Sequence, residues 1–213
     1  MAQPFKDRSD AGRRLAAALA RYRYAPDVLV LGLPRGGVPV AYEVARALGA
    51  PLDVFVVRKL GVPGHEELAF GAIATGGARI LNPDVVAAAR LDDAAIAAVV
   101  AAETAELARR EQRYRGDRAV APVAGRAVVV VDDGLATGAT MRAAILAVRE
   151  RGAAQVLAAA PVGTAEACAL LQDDADAVIC PLVPRHFRAV GAWYEDFAPV
   201  QDAAVTALLD VPA

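Results

Sequence analysis

The chain of 213 residues has few cysteines, few histidines and few aromatic residues. Its two cysteines, Cys168 and Cys180, are too few for a disulfide framework, and we expect both to be free, buried thiols. With only His65 and His186 besides, the sequence offers no cluster of zinc ligands. These shortages exclude a small disulfide-stapled domain and a structural zinc module.

Long hydrophobic runs and an excess of one charge are also missing. No apolar stretch approaches the roughly 18 residues that a membrane span needs. Residues 1–10 are charged and lack an apolar core, unlike a signal peptide. The net charge of −2 argues against general nucleic-acid binding. We therefore expect a cytoplasmic protein that binds neither membranes nor nucleic acid.

The most informative segment is residues 128–140, with the sequence VVVVDDGLATGAT. Its valine run predicts a strand that is covered on both faces. Asp132 and Asp133 follow at the strand's end, where open α/β sheets bind ligands. Residues 137–140 then offer backbone N–H groups and two hydroxyls at the start of a helix, which suits an anion. This loop can hold hydroxyl groups at one end and a phosphate at the other, the layout of a ribose 5-phosphate.

The segment is not a P-loop, because its glycine spacing is one residue short and no lysine follows Gly138. It resembles the 5-phosphoribosyl-1-diphosphate (PRPP) signature of type I phosphoribosyltransferases. The alternative is a βα turn with a chance acidic pair, which leaves the two acids unexplained. The resemblance implies that Asp132 and Asp133 act in catalysis, bind the ribose hydroxyls and hold Mg²⁺ through water. It also implies a 5′-phosphate site formed by Ala136, Thr137, Gly138, Ala139 and Thr140.

A second loop, residues 31–37 with the sequence LGLPRGG, leaves a predicted strand and enters a predicted helix. Adjacent glycines let a backbone approach a ligand closely, and an arginine forms paired hydrogen bonds to phosphate. Taken alone, the loop is equally consistent with an ordinary βα turn and a solvent-facing arginine. The resemblance implies that Arg35, Gly36 and Gly37 form the pyrophosphate-binding loop of the family, with a cis peptide between Pro34 and Arg35.

Two cations, Arg58 and Lys59, end the second predicted strand at the same sheet edge. The resemblance implies that both bind pyrophosphate and that Lys59 also acts in catalysis; a solvated basic pair is the alternative. The glycines and proline of residues 60–67 predict a mobile loop. That loop resembles the flexible catalytic loop of the family, which closes over the reaction centre. Within this loop Glu66 is the candidate catalytic residue; the alternative is that its side chain only faces solvent.

Residues 185–197 concentrate aromatic side chains in a chain that is only 5% aromatic, and they include its one tryptophan. Such a surface can stack on a flat base. The resemblance implies a hood over the nucleobase, built from the N-terminal part and residues 183–213, with Trp193 and Tyr194 as base-binding residues. The alternative is an aromatic patch that packs the last helix onto the sheet.

Hydrophobic periodicity and turn residues predict an alternation of strands and helices. Gly76 and Gly77 predict a hairpin turn, and Asp10 is the expected N-cap of the first helix. The order predicts an α/β fold in one domain over 1–213: a doubly wound, mainly parallel sheet with a small hood and a flexible loop or hairpin. Predicted helices cover 10–24, 38–48, 82–89 and 92–115, and predicted strands cover 27–33, 52–58, 68–74, 78–81, 156–160 and 177–180.

The resemblance implies an enzyme of nucleotide salvage that transfers the phosphoribosyl group of PRPP to a nitrogenous base, with Mg²⁺ as cofactor and release of pyrophosphate. Hypoxanthine/guanine enzymes carry an aspartate at the position of Ala136, whereas adenine and xanthine types often carry alanine there. The alanine therefore favours an enzyme of the adenine or xanthine type, and so a purine-like base. Two alternatives stay open: a PRPP-binding regulator without catalysis, and an enzyme with a non-base acceptor. A homodimer is also compatible with the family.

Overall fold

The computed structural model of the protein describes residues 3–211. Its strands form one parallel sheet of five and one antiparallel sheet of three. The strands are β1 (Val28–Gly32), β2 (Leu52–Val54), β3 (Val57–Val62), β4 (His65–Ala74), β5 (Arg79–Leu81), β6 (Ala127–Val131), β7 (Gln155–Ala159) and β8 (Ala177–Ile179). The α-helices are α1 (Arg8–Ala18), α2 (Gly37–Leu48), α3 (Pro83–Ala88), α4 (Asp93–Arg115), α5 (Ala139–Glu150), α6 (Ala165–Gln172) and α7 (Asp202–Asp210).

The parallel sheet has the strand order β2-β1-β6-β7-β8, and each neighbouring pair runs parallel. The winding reverses between β1 and β6, because β2 lies outside β1 whereas β7 and β8 lie beyond β6. Open α/β sheets bind ligands at such a switch point, outside the carboxyl ends of the strands. The two loops that the sequence singles out follow β1 and β6, so both lie at this point.

Helices cover both faces of the parallel sheet. Alternate residues of β1 enter two different cores: Leu29 and Leu31 pack with the α5 side, whereas Val28 and Val30 pack with α1 and α2. The valines of β6 divide in the same way, and all four are fully buried. This two-sided burial is why the valine run carries no polar alternation. The predicted doubly wound, mainly parallel α/β fold is confirmed.

The region after β2 differs from the prediction. The single strand expected over 52–58 is two strands, β2 and β3, which belong to different sheets. The loop expected over 60–67 is a β-hairpin, in which β3 pairs with β4 from Val57–Ala74 to Val62–His65. Pro63 and Gly64 form only its turn, with Gly64 at φ +78°. The strand persists because Leu60 and Val62 are buried in a core with α4 and α7, and this burial outweighs the local turn residues.

The second predicted hairpin is confirmed. Gly76 and Gly77 both have positive φ values, +82° and +85°, and connect β4 to β5. The predicted helices over 82–89 and 92–115 match α3 and α4. Across residues 3–211 no helix, α4 included, combines the length and the apolar character required to cross a bilayer.

A buried ion pair ties the C-terminal end of α4 to β2. Arg115 Nε donates to both carboxylate oxygens of Asp53, at 3.0 and 3.2 Å, and the Arg115 side chain is only 4% exposed. The carboxylate oxygens of Asp53 also accept hydrogen bonds from the backbone N–H groups of Val54 and Ala121. Because the buried carboxylate is fully hydrogen-bonded, α4 is held firmly beside the hairpin that packs on it.

The N-terminal and C-terminal segments meet at the edge of the domain. Phe5 pairs with Tyr194 in a parallel bridge, and the two rings lie 5.2 Å apart. Helix α1 begins at Arg8, and its N-cap is Asp7 rather than the expected Asp10, whose own N–H donates to Asp7 Oδ1 at 2.7 Å. The predicted domain also includes residues 1–2 and 212–213, which lie outside the described residues.

Candidate active site

The acidic pair lies at the carboxyl edge of the central strand β6. Asp132 and Asp133 follow Val131 directly, and the N–H of Asp133 donates to Asp132 Oδ1 at 2.8 Å. Both residues are partly buried although the strand before them is fully buried. Two carboxylates therefore stand side by side at the switch point of the sheet.

Arg8 of α1 holds the second acid. Its Nε donates to Asp133 Oδ2 at 2.9 Å, and the two side chains are only 11% and 15% exposed. The guanidinium also donates to the carbonyl of Ala198 at 2.9 Å and stacks over the Phe197 ring, 3.9 Å from its centre. Arg8 thus connects the N-terminal helix, the acidic pair and the C-terminal segment.

The electrostatics of the two acids differ. Burial raises the pKa of Asp132 well above its usual value, and the negative charge of Asp133 raises it further. Burial also raises the pKa of Asp133, against the hydrogen bond and the charge of Arg8. A cation or a set of hydroxyl donors beside Asp132 would favour its ionised form.

The loop after the acids leads into α5. Gly138 has φ +74° and is the N-cap of α5, which Ala139 begins. A cavity of about 140 Å³ is enclosed by Asp132 and residues 134–141. Thr137 and Ala139 are exposed at the helix N-terminus, with the Thr137 hydroxyl 3.4 Å from the Ala139 N–H. The cavity thus joins one carboxylate to backbone N–H groups at a helix N-terminus, which suits an anion.

Thr164, which N-caps α6, fixes this loop from outside. Its hydroxyl donates to the carbonyl of Ala136 at 2.9 Å, and its N–H donates to the carbonyl of Leu135, also at 2.9 Å. The same hydroxyl accepts from the N–H of Ala167 at 3.0 Å. The 5′-phosphate loop expected from the sequence is therefore braced by the loop that follows β7.

The glycine loop after β1 abuts the acidic pair. The Pro34–Arg35 peptide is cis, as the resemblance implies. A Cβ added to Gly37 would lie 2.6 Å from the carbonyl oxygen of Val131, and one added to Gly36 would overlap the Asp133 carboxylate. Only glycine fits this close approach. The structure thus places Gly36 and Gly37 against the acids, whereas the Arg35 side chain points away, toward Asp202 at 3.8 Å.

The two cations of β3 face opposite sides, as the two-residue period of a strand requires. Lys59 is exposed and lines a groove of about 830 Å³ that also contains Thr137 and Ala139. Arg58 instead pairs with Glu103 of α4, with Nε and Nη2 both 2.7 Å from Glu103 Oε2. Lys59 thus shares a groove with the loop that we expect to bind the 5′-phosphate, and Arg58 does not line it.

Glu66 lies at the exposed end of the β3–β4 hairpin. Its Oε1 accepts from the N–H of Gly64 at 3.2 Å, so the carboxylate bonds the hairpin turn. A Cβ on Gly61 would lie 2.7 Å from the Glu66 carbonyl oxygen, which fixes the close crossing of the two strands there. The structure does not bring Glu66 to the acidic pair, and its catalytic role stays a prediction.

The aromatic segment meets the acidic loop through Tyr194. The Tyr194 side chain is buried, and its hydroxyl donates to the backbone carbonyl of Asp133 at 2.6 Å. Burial raises the pKa of this hydroxyl, so it stays a donor. Val190 packs directly on Gly134. Tyr194 therefore positions the acids, and its burial argues against the base-stacking role expected from the sequence.

Trp193 is partly exposed, and its indole Nε1 is buried without a hydrogen-bond partner among residues 3–211. It packs beside the cluster of Phe5, Val162 and Tyr194. Its base-binding role stays a prediction. The sequence missed the roles of Arg8 and Thr164, because each contacts a loop that is distant in sequence; Arg8 and Asp133 are 125 residues apart.

No cluster of three or more histidine, cysteine or acidic side chains capable of holding a metal occurs within residues 3–211. The donor set at the switch point is the adjacent carboxylates of Asp132 and Asp133. Mg²⁺ commonly takes one or two carboxylates and completes its octahedron with water and substrate phosphates. The chemistry of this donor set therefore fits a magnesium ion that arrives with a phosphorylated substrate.

Comparisons with known proteins agree with this geometry. Residues 5–196 match the family model described as "Phosphoribosyl transferase domain". Proteins of two Mycobacterium tuberculosis strains, both named "Putative phosphoribosyl transferase", are 52% identical over 206 residues, or 97% of this chain. The chain spans about half the length of these curated relatives, 46%.

A solved structure is also similar. The crystal structure of TT1426 from Thermus thermophilus superposes with a TM-score of 0.88 at 45% identity, covering 97% of this chain and 98% of the other. The fold of nearly the whole chain is therefore shared with this structure. On the family match over 5–196, the chain belongs to the phosphoribosyltransferase family, in a bacterial branch with the type I fold.

Proposed function

We propose that this phosphoribosyltransferase binds PRPP and transfers its phosphoribosyl group to a nitrogenous base of purine type, with release of pyrophosphate. The observation that carries the proposal is the meeting of three features at one switch point. These are the acids Asp132 and Asp133, the anion cavity before α5, and the glycine loop that abuts the acids. A ribose that carries a phosphate at each end needs such an arrangement.

The substrate's 5′-phosphate would be held by the helix N-terminus and the backbone of residues 136–140, with the hydroxyls of Thr137 and Thr140 as donors. The ribose hydroxyls would donate to Asp132 and Asp133. The diphosphate would lie along the backbone of Gly36 and Gly37, which packs directly against the acids, with Lys59 facing the same groove as Thr137. Each contact fixes the orientation of the ribose between leaving group and acceptor.

In the reaction, the bond between C1 of the ribose and a diphosphate oxygen would break while a bond from C1 to the base nitrogen forms. The proton of that nitrogen would pass to the released diphosphate. Positive charge develops on the ribose ring, as in glycoside hydrolysis. The fixed carboxylates of Asp132 and Asp133 would stabilise that charge, and Arg8 favours the ionised form of Asp133. Lys59 offsets the negative charge of the leaving diphosphate.

A magnesium ion held by Asp132 and Asp133 would supply charge neutralisation of the diphosphate when bound. With substrate bound, the protein's own residues would exclude water: the β3–β4 hairpin would cover the groove on the Lys59 side, and Val190 packs on Gly134 on the other. Exclusion matters because water competes with the base as nucleophile.

We also propose that the base stacks on Trp193. We propose further that the protein works in the cytoplasm, in nucleotide salvage. A third proposal is that it forms a homodimer. The free thiols of Cys168 and Cys180 suit a reducing compartment. The dimer proposal rests on the family resemblance, and size-exclusion chromatography with light scattering tests it.

The decisive experiment is a calorimetric titration with Mg·PRPP. The double variant Asp132→Asn/Asp133→Asn should lose at least about tenfold in affinity, because it removes both charged hydroxyl acceptors. The matched control is Asp92→Asn/Asp93→Asn, an adjacent acidic pair that is exposed at the start of α4, where asparagine caps as well as aspartate. Unchanged affinity in the first variant would overturn the site.

A pyrophosphate-release screen over nucleobases then tests the transfer. Release with one base names the acceptor and supports the proposed reaction. Binding of PRPP without release from any base would contradict the transfer to a base and leave a binding protein or a non-base acceptor.

A further inference from the structure

A small cavity rich in arginine lies on the side of the glycine loop that faces α4 and α7. Its volume is about 230 Å³. The reaction proposed above does not use it, because its lining contains neither the acidic pair nor the 5′-phosphate loop. The lining residues are Arg35, Arg109, Arg110, Arg113, Tyr114 and Asp202.

One carboxylate in this cavity serves three donors. Asp202 Oδ2 lies 2.8 Å from Arg113 Nε, and Asp202 Oδ1 lies 3.8 Å from Arg35 Nη1. The Tyr114 hydroxyl donates to Asp202 Oδ1 at 3.0 Å. Arg35 and Arg113 are each about half exposed, 49% and 56%. Asp202 therefore pairs with only part of each guanidinium, and the rest of each is open to solvent.

A second carboxylate is shared in the same way by the other two arginines. Glu106 lies 2.7 Å from Arg109 Nε and 2.8 Å from Arg110 Nε. Four guanidiniums thus share two carboxylates, Glu106 and Asp202. The cluster carries an excess of two positive charges around one concave surface.

We propose that this cavity is a second anion subsite that binds inorganic phosphate or diphosphate. Guanidinium groups pair with phosphate oxygens through two parallel hydrogen bonds, and several of them around one concave surface can bind the same anion. The volume of 230 Å³ lies below the roughly 300–1,000 Å³ of pockets for drug-sized ligands. It therefore favours a small inorganic anion over a whole nucleotide.

Arg35 connects this subsite to the reaction centre. Its backbone belongs to the loop whose next residues, Gly36 and Gly37, abut Asp133 and Asp132, whereas its side chain lines the cavity. An anion in the cavity would compete with Asp202 for Arg35 and so act on the loop. Only this link to released diphosphate rests on the proposed function; the binding itself does not.

The test is a calorimetric titration of the full chain with inorganic diphosphate in metal-free buffer. The variant Arg110→Gln/Arg113→Gln should bind at least about tenfold more weakly, because it removes two charged donors. The matched control is Arg13→Gln/Arg46→Gln, two helix arginines that are also about half exposed and paired with one carboxylate, Glu43. Equal affinity of the wild type and the cavity variant would overturn the proposal.

A second variant should bind diphosphate more tightly than the wild type, a result that misfolding cannot produce. Asp202→Asn removes the competing negative charge but keeps an acceptor for Tyr114, so diphosphate should bind several-fold more tightly, about threefold or more. No gain would contradict the proposal. A nucleoside diphosphate that binds about tenfold more tightly than inorganic diphosphate would overturn the assignment to a free inorganic anion.

The variant Lys59→Ala separates the two sites. Metal-free diphosphate binding should persist in it, because Lys59 lines the groove of the reaction centre and not the arginine cavity. Loss of that binding would place the anion at the reaction centre and overturn the second subsite while leaving the proposed function intact. Retained Mg·PRPP binding in Asp132→Asn/Asp133→Asn would defeat the proposed function but not the subsite.

Discussion

At the scale of single residues, Arg8 favours the ionised form of Asp133. The hydrogen bond and the positive charge of Arg8 both lower the pKa of Asp133, which burial raises. Among residues 3–211, Arg8 donates to Asp133 and Ala198 and not to the loop of residues 134–141, so we expect it to position the acid rather than to bind phosphate. This role should appear in the pH dependence of kcat/KM.

We predict that Arg8→Met shifts the acid limb of kcat/KM for PRPP to higher pH. Without Arg8 the pKa of Asp133 rises further, so the carboxylate is lost at a higher pH as the solution is acidified. At neutral pH, kcat/KM should fall about tenfold or more, the effect of one charged hydrogen bond. The measurement is a pH profile of kcat/KM, with Arg13→Met of the same helix as control; an unmoved acid limb would rule out the positioning role.

Trp193 is the other residue whose role can be isolated, because it is the only tryptophan of the chain. We predict that Trp193→Ala weakens base binding about tenfold, as base–aromatic stacking contributes about 1–3 kcal/mol. PRPP affinity should stay within twofold, about 0.4 kcal/mol. Trp193→Phe keeps an aromatic face and should restore most of the base affinity. Equal losses for base and PRPP would show that Trp193 only packs the hood.

At the scale of elements, the two faces of the β3–β4 hairpin have different roles: one faces the groove of the candidate site, and the other packs on α4. Lys59 faces the groove shared with Thr137, and Arg58 is paired with Glu103 on the opposite face. The sequence presented the two cations as one basic pair. Because their strand continues past them, they face opposite sides of the hairpin.

We predict that Lys59→Ala lowers kcat/KM about 100-fold with little effect on stability, because a cation at the leaving group is lost. Arg58→Ala should instead lower the free energy of unfolding by about 1 kcal/mol, the usual scale of a partly exposed charged pair. Its kcat/KM should change less than about threefold. Steady-state kinetics and urea unfolding check both variants, each serving as the other's control. Comparable activity losses in the two would refute the division of faces.

The elements that the sequence predicted best are those whose signal is local. The valine strand, the acids and the Thr-Gly segment lie within 13 consecutive residues, 128–140, and their order alone placed them at the sheet edge. The hairpin over 57–74 was misjudged because Gly61, Pro63 and Gly64 signal a loop locally. The burial of Leu60 and Val62 against α4 and α7 is a tertiary effect that no local window contains.

At the scale of the whole molecule, contacts between distant segments complete the site. Arg8 and Tyr194 reach the acids from the two ends of the domain, and Thr164 braces the loop from the strand beside it. These contacts join residues that are 28 to 125 positions apart in the chain. Because periodicity and motif spacing describe only neighbours, the sequence predicted the loops but not the side chains that hold them.

The same assembly has a stability cost that depends on pH. The pKa of Asp132 is raised in the folded protein by burial and by the charge of Asp133. The folded state therefore binds more protons than the unfolded state between the two pKa values, and stability falls as pH rises through that interval. Above that interval, the full cost of the buried charge applies.

We predict that Asp132→Asn is inactive yet more stable than the wild type at neutral pH. Asparagine keeps the acceptor for the Asp133 N–H but carries no charge. Each kcal/mol recovered should raise Tm by about 2–4 °C in a domain of this size. The gain should vanish below about pH 4, where the wild-type carboxyl is protonated in both states.

Calorimetric unfolding of Asp132→Asn, Asp92→Asn and the wild type at neutral and acidic pH checks this expectation. The control residue Asp92 is exposed and caps α4, so its substitution should leave Tm unchanged at both pH values. A lower Tm for Asp132→Asn at neutral pH would mean that the ionised carboxylate stabilises the fold. The acid would then be a structural group, whereas a higher Tm with lost activity is the pattern of a charge retained for its chemistry.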